Sequence, residues 1–187
     1  MVLGLAVVVG VAVGLLLGGR LERIAELRLR GLWLLYAAVG IQVVAFPFAF
    51  MPWRTGEGAA KALWLISYGL LIVAAIVNRR VTGAPVVALG MALNLVAVVA
   101  NGGSMPALPG AIEGAGMSYD THNNSVAAAT PHLPWLVDRW PAPEWVPLAN
   151  VFSVGDVVIA IGAVLLVVFA MGVGGDRRRA ASAPSVD

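Results

Sequence analysis

The sequence predicts an all-α protein: a polytopic transmembrane helical bundle of about five spans with one Pro- and Trp-rich outer loop. Three observations carry this expectation. Charge is scarce, since 12% of the 187 residues are charged while 60% are hydrophobic; a soluble domain carries about 25% charge. The mean hydropathy is correspondingly high, at +0.89. The apolar residues form long runs without polar faces, and arginines cluster at the ends of those runs, which is how membrane orientation is written into a chain.

The elements follow in order. Span one runs from about Val2 to Gly18, span two from about Gly31 to Trp53, and span three from about Ala59 to Val77. Span four runs from about Val81 to Ala100 and span five from about Val154 to Val173. Each approaches the ~30 Å thickness of a hydrocarbon core at ~1.5 Å per helical residue. Membrane strands would be about ten residues long and alternate in polarity, so helices are expected. The first run lacks a basic flank before it and an A-x-A site after it, and is read as an uncleaved span. Residues 1–173 then form a single transmembrane domain, with the outer loop at 101–150 and a disordered cytoplasmic tail at 174–187.

Orientation follows from the basic residues. The first connection holds Arg20, Arg23, Arg28 and Arg30, the third Arg79 and Arg80, and the tail Arg177, Arg178 and Arg179. With five spans these regions share one side and carry nine of the 12 basic residues. The positive-inside rule places the carboxyl tail in the cytoplasm and the amino terminus outside. The placement of the arginines beside apolar runs also argues against a nucleic-acid partner; the expected partner is the lipid bilayer. With no Cys in the chain, disulfides and thiolate metal sites are excluded.

The loop from Asn101 to Asn150 therefore faces outward. Pro106, Pro109, Pro131, Pro134, Pro141, Pro143 and Pro147 exclude long helices there. Trp135, Trp140 and Trp145 suit the headgroup zone, so Pro134 to Pro147 is read as a lid on the membrane surface.

Polar residues at the outer ends of spans four and five are the candidate site. Asn94 and Asn101 are seven apart and share a helix face. Asn101-Gly102-Gly103-Ser104-Met105-Pro106 reads as a helix stop. Asn94 lies deep in an apolar run and needs a partner. Ser153 and Asp156 have capping-box spacing, and Asp156 borders the apolar interior, where an ionisable group is a functional candidate. Spans four and five meet on the outer side, so Asn94, Asn101, Ser104, Asn150, Ser153 and Asp156 are expected to bind a ligand in one polar pocket. Gln42 either lines that pocket or bonds a neighbouring helix.

Two other features carry alternative readings. Ala6, Gly10, Gly14 and Gly18 form a smooth stripe on span one, suited to packing against another span or to self-association. The loop residues Asp120, His122, His132 and Asp138 include metal-ligand types, but their spacing matches no metal signature. Neither a metal nor another cofactor is expected, and no catalytic residue is assigned.

Taken together, Asn94, the Asn101-Gly102-Gly103-Ser104-Met105-Pro106 segment, Asp138 and Ser153-Val154-Gly155-Asp156 resemble DUF5317, a family of bacterial multi-pass membrane proteins of unknown function. The resemblance implies a bacterial source and membrane location, and no activity. The residues themselves favour a binding or transport module with an outward pocket for a small solute or lipid headgroup. The alternative is an accessory or assembly subunit of a membrane complex, and a metal-dependent membrane enzyme ranks third.

Overall fold

A computed structural model describes residues 2–47, 50–117, 125–142 and 150–173. The chain is mostly helical. The apolar runs give α1 (Val2–Leu16), α2 (Leu32–Ala45), α3 (Glu57–Val77), α4 (Ala84–Ala100) and, after a six-residue α5 (Pro109–Gly114), α6 (Val154–Ala170). A short 3-10 helix, Leu21–Glu26, follows α1. Among the described residues one helix, α3, is long and apolar enough to cross a membrane. The other apolar helices span 14 to 17 residues.

The helices are shorter than the apolar runs for local reasons. Span two was expected to reach Trp53, but α2 stops at Ala45. Pro47 disfavours a helical residue before it, and Phe46 leaves the helix at φ −127°, ψ 74°. Span four was expected from Val81, but Gly83 adopts φ 94° and α4 begins after it, with Pro85 in its first turn. At the end of α1, Gly18 turns to φ 83° and Gly19 N–H closes on the Gly14 carbonyl at 2.8 Å.

Neighbouring helices contact one another in the order α1, α6, α4, α3, α2. The α4–α6 crossing is antiparallel and built on glycine. Gly83 faces Gly162 and Gly90 faces Gly155; a Cβ on Gly90 would lie 2.6 Å from the Gly155 carbonyl oxygen. Two glycine pairs seven residues apart let these backbones touch, where van der Waals contact replaces the side chains. α1 runs parallel to α6, with Gly10 against Val167 and Gly14 against Met171. Gly10 and Gly14 thus face α6, and Ala6 is buried one turn before them. Gly18 stands open. On the far side Gln42 of α2 donates to Ser67 Oγ of α3 at 3.2 Å, the helix-to-helix bond considered for it.

This arrangement sorts the connections to two ends. At the arginine-rich end, Arg20 N–H bonds the Met171 carbonyl at 2.9 Å. Asn78 accepts from Arg30 N–H at 2.8 Å and donates to the Arg30 carbonyl at 2.9 Å. At the other end the long loop folds into a cap. It adds strand to the expected all-α class: β1 (Met105–Ala107) pairs in parallel with β2 (Ser125–Ala127), and β3 (Trp140–Pro141) pairs antiparallel with β4 (Val151–Phe152). Ala107, Ala111, Ile112 and Val151 form the cap's own small core. Trp135 and Trp140 are exposed on it. Trp145 and the predicted disordered tail lie outside the described residues.

Candidate functional site

The site begins at the first turn of α6. Ser153 caps the helix: its Oγ accepts from Asp156 N–H at 3.1 Å, and Ser153 N–H donates to Asp156 Oδ2 at 2.9 Å. Both bonds of the predicted capping box are present. They bend the Asp156 carboxylate back over the helix end, where the unsatisfied amides favour negative charge.

Asn94 then ties α4 to this turn. Its Nδ2 donates to Asp156 Oδ1 at 2.8 Å, and its Oδ1 lies 2.8 Å from Ser153 Oγ. Ser153 Oγ also lies 2.9 Å from Asp156 Oδ2, but a hydroxyl has one proton to give. Donation to Asn94 Oδ1 closes a ring: Asp156 N–H to Ser153, Ser153 to Asn94, and Asn94 back to the Asp156 carboxylate. The glycine crossing sets this ring. A Cβ on Gly155 would collide with Asn94 Oδ1, so the amide reaches α6 only because Gly155 has no side chain.

Over the ring lies a cavity of about 350 Å³ beneath the cap. Gln42, Trp64, Tyr68, Asn94, Asp138, Asn150 and Asp156 line it together with apolar neighbours. Trp64 and Tyr68 stack with ring centroids 4.7 Å apart, and the Tyr68 hydroxyl is close enough to Asn94 to share a hydrogen bond. Tyr68, Asn150 and Asp156 also border a second space of about 460 Å³. That one is an apolar groove running along the helices to Asn78, walled by Leu35, Leu71, Val87, Met91, Ile159 and Leu166 among others.

Asp138 is the residue that sequence reasoning did not place in the pocket. The main chain explains its position. Its N–H bonds the Pro106 carbonyl at 3.0 Å, its carbonyl accepts from Leu108 N–H at 2.9 Å, and it bridges Ala107 in parallel fashion. That pairing turns the side chain inward, where it is only 6% exposed. Among the described residues no donor or cation meets its carboxyl. Burial, with the Asp156 charge adding to it, pushes its pKa from the usual 3.8 up to about 8. An unpaired carboxyl in a wall of this kind is costly and calls for a proton or a cationic partner.

Of the six predicted site residues, Asn94, Ser153 and Asp156 form the ring, and Asn150 joins them at the cavity wall. Asn101 does not. Its Nδ2 bonds the Ala97 and His132 carbonyls at 2.7 and 2.9 Å, and its Oδ1 accepts from His132 N–H at 2.8 Å. It fastens the cap to the end of α4. Ser104 is buried at the start of β1, outside both cavity linings. His132 is exposed. Asp120 and His122 lie outside the described residues, among which no group of three His, Cys, Asp or Glu residues could hold a metal ion.

A family model for DUF5317, a family of unknown function, matches residues 26–168. That span includes every residue of the ring and the cavity wall. No curated protein and no solved structure matches the chain.

Proposed function

The chain belongs to the DUF5317 family, and from that premise we propose that it is a membrane-embedded binding module, taking a small solute or lipid headgroup into the pocket beneath the outer cap. The observation that carries the reading is Asp138, a carboxyl with no partner among the described residues, buried in the wall of a cavity that also holds Asp156. A purely structural polar cluster satisfies its members. This one satisfies Asp156 and leaves Asp138 open toward empty space large enough for a ligand.

The membrane setting is part of the proposal. The bundle would sit as five spans with the amino terminus outside, the cap outside and the arginine-rich end in the cytoplasm. Large apolar side chains point away from the bundle on several helices, including Val8 at 65%, Leu16 at 85% and Val99 at 62% exposure. Helices of 14 to 17 residues fall short of the ~30 Å core, and the bilayer meets such mismatch by thinning at modest cost. The arginines at one end supply the orientation.

Native mass spectrometry of the gently solubilised protein beside Asp156→Ala tests the reading. A small bound species retained by the wild type and lost in the variant is expected. A bare protein in both, after extraction in lipid-preserving detergent, would sink it. A stoichiometric protein partner in its place would favour the accessory-subunit role.

A further inference from the structure

We propose that the pocket takes an ammonium group carried on a single hydrocarbon chain, with the ammonium between Asp138 and Asp156 and the chain along the apolar groove. This rests on the binding-module reading and deepens it by naming the ligand's chemistry. Among the described residues, the cavity wall has two carboxyl groups and no Lys, Arg or His. Its other polar residues, Gln42, Asn94 and Asn150, each offer an amide oxygen, and Tyr68 a hydroxyl. The stacked Trp64 and Tyr68 add aromatic faces, which attract cations by their quadrupoles.

Electrostatics selects the sign of the guest. An anion would face the Asp156 charge in a poorly solvated space and keep Asp138 protonated, and a neutral guest would give an ionised Asp138 no countercharge. A cation lets Asp138 ionise and supplies the partner it lacks. The neighbouring Arg139 is turned outward, its guanidinium 5.4 Å from the exposed Trp140 ring. The groove selects the rest of the guest. It adjoins the polar cavity at Tyr68, Asn150 and Asp156, and from there its walls are almost entirely aliphatic. A small hydrated cation would leave that space unused, whereas one alkyl chain fits its apolar lining.

Binding must also displace a proton from Asp138, whose pKa burial holds near 8. Among the described residues, the other charged and titratable groups lining the cavity are Asp156 of α6 and Tyr68 of α3. Affinity should therefore rise with pH by up to about tenfold per unit and level off above about pH 8.

The test uses the full chain in nonionic detergent with four probes: decylamine, decanoate, decanol and ethanolamine. Decylamine should bind at one per chain, and at least tenfold more tightly than the others. Asp138→Asn should weaken decylamine at least tenfold and abolish the pH dependence. Tighter binding of decanoate or decanol, weakened by Asn94→Ala, overturns the ammonium assignment and leaves the binding module standing. Equal binding of ethanolamine and decylamine overturns the role of the groove. If no probe binds, the ammonium assignment falls, and the native mass spectrum of the wild type decides whether the binding module stands. Should Asp138→Asn not be recovered folded, the wild-type pH profile decides: a flat profile for decylamine overturns the proposal.

Discussion

Two asparagines, at opposite ends of the same bundle, are buried to the same degree and used differently. Asn78 is 9% exposed and Asn94 is 8% exposed. Asn78 spends its side chain on main chain: Arg30 N–H and C=O, and the Ala74 carbonyl at 2.7 Å. Every partner is a backbone group where α3 ends and α2 is about to begin; the Ala74 carbonyl also accepts the Asn78 N–H at 3.2 Å. Asn94 spends its side chain on Ser153 and Asp156, and the network it enters borders an unpartnered carboxyl and open space. The first pattern is what a fold needs to close an end. The second exceeds what closing an end requires, and that surplus is the reason the proposed binding site is placed at the capped end.

The comparison makes opposite predictions for the two ends. The largest concerns Asp138. Its folded pKa of about 8 exceeds the usual 3.8, so the fold prefers the protonated form. That contribution is whole below about pH 4 and is lost as pH rises through 8. Asp138→Asn should thus stabilise the unliganded protein at neutral pH by on the order of 3 kcal/mol and flatten the loss between pH 5 and 8.5. Thermal unfolding in detergent at both pH values checks it. A destabilised variant would mean that Asp138 is structural, and the contrast between the ends would dissolve.

Next in size is the asparagine pair itself. Asn78→Ala should cost about 3 kcal/mol, because it removes three hydrogen bonds, two of them joining the α3 end to the Arg30 backbone. Asn94→Ala should cost less, about 2 kcal/mol, since Ser153 and Asp156 still cap α6 through each other. The discriminating readout is ligand retention. At matched folded fractions, Asn94→Ala should lose the bound species expected in native mass spectra, and Asn78→Ala, at the far end of the groove, should retain most of it. Equal retention in both would erase the distinction.

The two ends also differ in how far the sequence revealed them. The helices were legible because apolar runs of this length have few alternatives, and the Ser153–Asp156 box because capping depends on a fixed three-residue spacing. Asn94 meeting α6 followed from connectivity, since spans four and five share an end. Asp138 was not legible as a pocket residue: a lone aspartate between Val137 and Arg139 in a proline-rich loop carries no periodicity. Its inward turn comes from a nonlocal bridge to Ala107. Asn101 was misassigned for the related reason that its partner, the His132 backbone, lies 31 residues away. The glycine crossing was readable and overlooked. Gly83 and Gly90 stand seven apart, as do Gly155 and Gly162, a matched spacing less dense than the small-residue stripe of α1. The early end of α2 was written in Pro47.

The smallest predicted effect separates neighbours in sequence rather than ends of the bundle. Arg139 follows Asp138 directly, yet the strand geometry that turns one inward turns the other out. Arg139 lies over Trp140, which is 39% exposed and tilted against Phe152 at 5.7 Å. A cation–π contact at such an exposed site is worth about 0.5–1 kcal/mol. Arg139→Ala should therefore lower stability by no more than that. Its effect on decylamine affinity should stay within about twofold, because a solvent-exposed guanidinium acts on the cavity through a high effective dielectric. A tenfold gain in affinity on removing Arg139 would show that its charge reaches the pocket. Asp138 would then have a cationic neighbour acting on it, and the reason for assigning it a guest would weaken. An unchanged affinity, beside a large loss in Asp138→Asn, would confine the selectivity to the inward face of the strand.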